Sequence, residues 1–309
     1  MVKFLNSTPT MLQEMPESEV VPDVISYNSV ISSLDLEQGK HHLALALLAQ
    51  MPLASLVPDL ISYNATISAC AGNGDWQTAL ELLREMPMAT VAADVISFNA
   101  AISAVDKGGP WNVALHLVQE MTAAEHARNV ISFNACIGAF DKGGQWQLAL
   151  DLLAQMSRAQ VGADVITYGS AISCCESCGH WQVALQLLAE MLQARVDPNS
   201  ICFNAAVSAC EKASQWQRSL QLLADMRDGR TTPNVISFSA AISACAALAA
   251  WQSALSLLFA MTVSEVLANV ISFTAAATVC ERGGQYHMAL PLLSGMSALA
   301  TSQIKVQLC

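Results

Sequence analysis

Val130-Ile131-Ser132-Phe133-Asn134-Ala135-Cys136-Ile137-Gly138-Ala139-Phe140 opens a stretch that runs on to Met156, and its pattern recurs along the whole chain. Apolar residues at Phe133, Ile137 and Phe140 fall at helical spacing. A charged, glycine-rich break, Asp141-Lys142-Gly143-Gly144, closes that helix. A second amphipathic run starts at Trp146 and continues through Ala149, Leu150, Leu153 and Met156. The stretch therefore predicts two short helices joined by a tight glycine turn.

That unit repeats. Its opening position falls at Val24, Leu60, Val95, Val130, Val165, Ser200, Val235 and Val270, one step of 36 residues followed by six of 35. The closing methionine recurs at steps of 35 from Met51 through Met86, Met121, Met156, Met191, Met226 and Met261 to Met296. Trp begins the second helix six times, from Trp76 to Trp251, with His41 and Tyr286 in that place at the ends. Three markers in phase over eight cycles define an all-α repeat array rather than one or two globular domains. The boundaries are 24–59, 60–94, 95–129, 130–164, 165–199, 200–234, 235–269 and 270–304, preceded by 1–23 as the tail of a truncated earlier repeat and followed by a frayed 305–309.

Composition narrows the chemistry. The hydrophobic share is 53%, as expected when each helix packs on both sides, and the formal charge of −11 gives no bulk attraction to nucleic acid. Ten cysteines without a signal peptide do not make a secreted disulfide framework. Cys70, Cys175, Cys210, Cys245 and Cys280 all hold the eleventh position of their repeats, where Phe140 sits in the fourth, so they read as core residues. Stacked helices lie ~8–10 Å apart, beyond the roughly 4.4–6.8 Å a disulfide spans. Cys174, Cys175 and Cys178 with His180 could be a zinc site, but a second ligand pair is missing and core packing is the expectation. No charge occurs between Arg230 and Glu265, which imitates a membrane span. Pro233, Trp251 and Met261 keep the repeat phase there, so no membrane association is expected.

Departures from the pattern are few. One extra residue lies near Gly39. Gly169 stands where five other repeats carry Asn, and Gly early in a helix costs ~0.5–1 kcal/mol relative to Ala. Pro291 interrupts the last second helix, where Pro costs ~3 kcal/mol.

A 35-residue helix–turn–helix unit with Val-Ile-Ser-Phe-Asn at its head and Ala-Leu-x-Leu-Leu-x-x-Met in its second helix resembles the pentatricopeptide repeat family. The 34-residue tetratricopeptide unit is a poorer match, since its Trp belongs to the first helix. The resemblance implies a right-handed α-solenoid superhelix that binds single-stranded RNA, one nucleotide per repeat, with RNA running 5′ to 3′ as the protein runs N to C. The fifth and last residues of each repeat are polar and are expected to face a common groove, close enough to share one base edge.

Carried over repeat by repeat, the resemblance makes Asn28 with Asp59, Asn64 with Asp94, and Asn134 with Asp164 readers of uracil. Asn99 with Asn129 and Asn204 with Asn234 resemble pyrimidine readers, and Ser239 with Asn269 an adenine reader. Gly169 with Asn199 departs from the pattern, and Thr274 is left with Ile304. The implied site lies near 5′-UUYUNYA-3′, Y being a pyrimidine. The second residues Ile25, Ile61, Ile96, Ile131, Ile166, Ile201, Ile236 and Ile271 sandwich bases in the family; helix-start packing is the alternative. Lys107, Lys142, Lys212 and Arg282 fall where the family contacts phosphates, yet each follows an acidic residue (Asp106, Asp141, Glu211, Glu281) and could be a solvated turn residue.

The main rival is a protein-binding scaffold, favoured by the acidity and disfavoured by the regular polar pairs. Protein partners on the outer surface and a monomeric state are compatible with either. An enzyme is not expected: the His-x-Glu and Pro-Cys-x-x-Cys elements of a deaminase are absent, the six histidines form no catalytic constellation, and no cofactor or metal is called for. The family's habit points to RNA processing, stability or translation in a mitochondrion or plastid, although no targeting segment stands at the N-terminus.

Overall fold

The computed structural model describes residues 22–35, 39–229, 231–289 and 292. Among them the only regular structure is helical: α1 (Val24–Asp35), α2 (His41–Leu53), α3 (Leu60–Asn73), α4 (Trp76–Met88), α5 (Val95–Gly108), α6 (Trp111–Ala123), α7 (Val130–Lys142), α8 (Trp146–Arg158), α9 (Val165–Ser177), α10 (Trp181–Gln193), α11 (Ser200–Lys212), α12 (Trp216–Asp228), α13 (Val235–Ala244), α14 (Trp251–Val263) and α15 (Val270–Arg282). A short 3-10 turn, Cys245–Leu248, follows α13. Tyr286–Ala289 begin the helix after α15.

Local chemistry sets these boundaries. An Asp or Asn in extended conformation caps each first helix from α3 onward, and the Ser or Thr three residues on completes a capping box for α3, α5, α7, α9 and α13. Trp is the first residue of six second helices. Those helices commonly end in a left-handed residue, such as Thr90 (φ 61°) or Gln160 (φ 55°). The next N–H then turns back to the carbonyl of the repeat's closing methionine: Val91 to Met86 and Val161 to Met156, both 2.9 Å. This closes the last turn in the Schellman manner.

The chain divides into two compact units, one of residues up to Gly143 with Ala154–Gly162, the other of Gly144–Leu153 with Ala163 onward. In the first unit, α1, α3, α5 and α7 stack in sequence, and α2, α4 and α6 each touch the first helix before and after them. In the second, α9, α11, α13 and α15 stack the same way, flanked by α10, α12 and α14.

First helices are covered on two flanks, which explains their small residues. Ala101, Ala104, Cys136, Ala171, Ala206, Ala209, Ala241 and Ala276 are buried, and so are all five eleventh-position cysteines. Burial pushes the Cys70 thiol up to about 12, with the Asp75 charge adding, and Cys210 and Cys245 up to about 11. They stay protonated and behave as small apolar groups. Each described closing methionine from Met51 to Met261 is 0–1% exposed. The Trp111 ring lies across the glycine turn that follows α7: a Cβ on Gly143 would stand 2.4 Å from its Cδ1.

One expectation is adjusted, and two sequence features that invited other readings are placed. Asp141 and Lys142 belong to helix α7, which ends at Gly143, so the break is shorter than the charged tetrapeptide suggested. The uncharged stretch is interrupted by the 3-10 turn before Trp251, and no described helix is long and apolar enough to cross a membrane. Cys174 and Cys175 are buried whereas Cys178 is exposed, and no described group of three metal-binding side chains converges. The residue 1–21 tail, Pro291, Met296, Ile304 and the 305–309 terminus lie outside the described residues.

Candidate nucleic-acid interface

From Asp59 to Asn269 the last residue of a repeat is the N-cap of the next first helix, and in four repeats this places it against the fifth residue of its own repeat. The Asn28 amide donates to Asp59 Oδ1 at 3.0 Å, and Asn64 to Asp94 Oδ1 at 3.1 Å. Asn99 donates to Asn129 Oδ1 at 3.3 Å, and Asn204 to Asn234 Oδ1 at 3.4 Å. Four of the side-chain pairs that the sequence singled out are thus in direct contact. Asn28 and Asn99 are buried and Asn64 and Asn204 half-buried, so the fifth residue lies deeper than a side chain projecting freely from its helix.

Electrostatics follows from capping. Burial raises the Asp59 and Asp94 carboxyls, but bonds from the Ser62 or Ser97 backbone N–H, the serine hydroxyl and the Asn amide outweigh it. Both end below the ordinary carboxylate value and stay ionised. In each, these bonds converge on Oδ1 (2.9 Å from Ser62 N and from Ser97 N). At the asparagine caps the helix N–H groups also select Oδ1: Ile236 and Ser237 N–H reach Asn234 Oδ1 at 3.0 and 3.1 Å.

The remaining pairs differ. Ser239 bonds Ser272 rather than Asn269, hydroxyl to hydroxyl at 2.8 Å, while Asn269 caps α15. Gly169 is buried, and a Cβ there would sit 3.5 Å from Cys202 Sγ. Asn199 caps α11 through Ile201 and Cys202 N–H, both 3.0 Å. Thr274 is exposed and donates to the Val270 carbonyl at 2.7 Å. Asn134, half-buried on α7, belongs to the first unit, and Asp164, the cap of α9, to the second.

Beside these pairs stand the second-position isoleucines, Ile25, Ile61, Ile96, Ile131, Ile166, Ile201, Ile236 and Ile271, all 58–73% exposed. Packing at the helix start does not account for side chains left that open to water.

The thirteenth-position cations are less uniform than the sequence suggested, and their acidic partners are not their neighbours in sequence. Lys142 bonds the Asp106 carbonyl and pairs with its carboxylate at 3.2 Å, and Lys212 pairs with Glu176 at 3.6 Å. Arg282 donates to the Ala246 carbonyl at 3.4 Å. Lys107 is exposed and forms no ion pair among the described residues; Ala71 holds the place an acid would take.

One set of residues was not anticipated. The third residue of each following repeat, Ser62, Ser97, Ser132 or Ser237, is buried and donates its hydroxyl to the Oδ1 of the preceding fifth-position Asn. The distances are 2.7 Å to Asn28 and 2.5 Å to Asn64, Asn99 and Asn204.

Helical hairpins stacked through their first helices, with a capped polar pair at four of the junctions, define a tandem helical-repeat protein. The families described as PPR repeat family, Pentatricopeptide repeat domain and PPR repeat match residues 22–71, 79–143 with 151–213, and 61–89 respectively. More than half of the chain is matched, and it belongs to the pentatricopeptide repeat family. Among solved structures it is similar to the pentatricopeptide repeat protein PPR10 from maize, at 17% identity and a TM-score of 0.58 over 96% of this chain and 51% of that one. It is equally similar to PPR10 in complex with an 18-nt psaJ RNA element, at 17% identity and a TM-score of 0.57 over 96% and 48%. These likenesses show the fold, and the chain spans about half the length of the structures it matches. No curated protein sequence matches it.

Proposed function

We propose that the protein binds single-stranded RNA, reading one nucleotide per repeat at a site near 5′-UUYUNYA-3′, and acts on organellar RNA processing, stability or translation in a mitochondrion or plastid. The observation that carries this is the recurrence of one hydrogen-bonded pair, fifth residue to last residue, at 3.0–3.4 Å in four repeats.

The capping geometry supplies a reason for different base choices. The N-terminal N–H groups of the next helix claim one oxygen of the cap. When the cap is Asp59 or Asp94, the other atom is a second carboxylate oxygen, an acceptor that suits the N3–H of uracil. When the cap is Asn129 or Asn234, the other atom is an NH2 donor, which suits the N3 of cytosine. The isoleucines offer apolar faces on which a base could rest. Binding is the whole of the proposed activity; the protein is proposed to work as a monomer, without cofactor or catalysis.

Lys107, exposed and with neither an ion pair nor a carbonyl partner among the described residues, is the best placed of the four to meet a phosphate; Arg282 would first leave the Ala246 carbonyl, and Lys142 and Lys212 would have to release their carboxylates. The test is a titration of the purified chain with a randomised short RNA pool, sequencing what is retained. Enrichment of a pyrimidine-rich register is expected. Retention without such a register would defeat the base assignment, and no retention at low salt would return the protein to the scaffold reading.

A further inference from the structure

We propose that the buried third-position hydroxyls, Ser62, Ser97, Ser132 and Ser237, are positioning residues that lock the amide of the preceding repeat's Asn, and so fix which donor and acceptor that Asn offers to a base. The proposal rests on the RNA-reading interface proposed above.

A hydroxyl has one proton and two lone pairs. In each of these serines a lone pair accepts the cap's backbone N–H, at 3.1 Å for Asp59, Asp94 and Asn234 and 3.3 Å for Asn129. That bond completes the capping box and needs nothing from the proton. Two acceptors compete for the proton: the cap's Oδ1 at 2.9–3.1 Å, and the preceding Asn Oδ1 at 2.5–2.7 Å. The Asn oxygen is nearer in all four. It is also the less occupied, because the cap's oxygen already takes the helix N–H and the Asn NH2. The proton therefore goes to the Asn.

The Asn amide is then held at both ends. Its oxygen accepts from serine, and its nitrogen donates to the cap. One N–H and one lone pair remain for a ligand, in an order that cannot reverse without breaking both bonds. Capping alone would be served by Glu or Gln at the third position, yet the chain places Ser or Thr there in every repeat but one. The exception is informative: Cys202 replaces the hydroxyl where Gly169 removes the amide it would hold. Helix α11 forms with Cys202 in that place, so the fold does not depend on the hydroxyl.

The test uses the full chain with Ser97→Cys, Ser97→Thr and Ser132→Cys. In RNA-free protein, the Asn64 side-chain NH2 protons should exchange slowly in wild type and Ser97→Thr and faster in Ser97→Cys. With short RNAs varied at a single nucleotide, Ser97→Cys should cut base discrimination at the register of Asn64 by about three- to tenfold, the worth of one hydrogen bond, and leave other registers unchanged. Ser97→Thr, with Thr167 as natural precedent, should restore it. Ser132→Cys should lose more, because the neutral Asn99–Asn129 bond holds its amide less firmly than a carboxylate does. Equal weakening for all RNAs with unchanged discrimination and unchanged NH2 exchange would overturn the lock. If no variant or wild type binds RNA but the exchange pattern holds, the RNA reading fails and the orienting role survives.

Discussion

On the proposed function, replacing Asp94 by Asn separates two tasks of that side chain, capping and base reading. Asp94 Oδ1 receives the Ser97 N–H at 2.9 Å and the Asn64 amide at 3.1 Å. An Asn there would keep one oxygen for these two donors, as Asn129 does in the next repeat. Asn and Asp are equal as N-caps, and the lost charge at the helix N-terminus is worth about 0.3–1 kcal/mol at an accessible site. Stability should therefore fall by no more than about 1 kcal/mol.

Base preference should change far more. The second carboxylate oxygen becomes an NH2, so the acceptor proposed to meet the uracil N3–H turns into a donor. An unsatisfied donor in a closed contact costs about 1–3 kcal/mol, or about five- to 150-fold in relative affinity. The preference at the second nucleotide should move from uracil to cytosine and leave its neighbours alone. The assay pairs thermal melting with titration of RNAs that differ only at that base. Uracil preference unchanged in a stably folded Asp94→Asn would refute the reasoning, as would a stability loss above about 2 kcal/mol, the upper end for losing a cap outright.

Two further outcomes test the fold. Gly143→Ala keeps a permitted φ of −88° but drives a Cβ against Trp111 Cδ1 at 2.4 Å, so stability should drop by about 1–3 kcal/mol; Gly162→Ala, with no atom within 4 Å, should stay within about 0.5 kcal/mol by denaturant titration. Stability should also peak on the acid side of neutrality. Glu176 and Glu211 are raised by burial, with Lys212 opposing, so their penalty grows as pH rises above the ordinary 4.5 and is relieved on acidification. Asp59 and Asp94 lie below 3.8, so their contribution is complete above that pH and is lost as pH falls through the folded values. Melting Glu211→Gln against pH should flatten the mild-acid rise; an unaltered profile would discard this account.

Periodic features were readable from the chain because a single wrong phase breaks them all. The methionines and eleventh-position cysteines share one packing environment seven or five times over, and burial follows. Asp-Val-Ile-Ser at 94–97 is also a capping signature, so the cap role of Asp94 was open to reading, although its pairing with Asn64 hides a second use. Three things were not visible. Residue type alone left the second-position isoleucines open between base-sandwiching and helix-start packing, and only the stacking geometry leaves them exposed. Lys142 pairs with Asp106, 36 residues away, while Asp141 sits beside it in sequence. A serine three residues past a cap gives no hint that its proton belongs to Asn64, 33 residues upstream.

Capping, on which the proposed reading is superimposed, restricts what the last position can hold. A helix whose first turn is packed between neighbours cannot leave its N–H groups unmet, and Asp, Asn, Ser, Thr and Gly are the residues that meet them. The chain uses only Asp and Asn from Asp59 through Asn269. These two share a shape and a capping oxygen and differ in one outward atom, acceptor or donor. The fifth position is limited differently. It is buried or half-buried in all but Thr274, so it takes short side chains, Asn, Ser, Gly, and each must satisfy a buried serine hydroxyl or vanish along with it, as Gly169 and Cys202 do. On the proposed reading, the small alphabet of base choices is a consequence of packing: the positions that face RNA are the ones the helix junction already constrains, and only substitutions that keep the junction satisfied are free to alter the base.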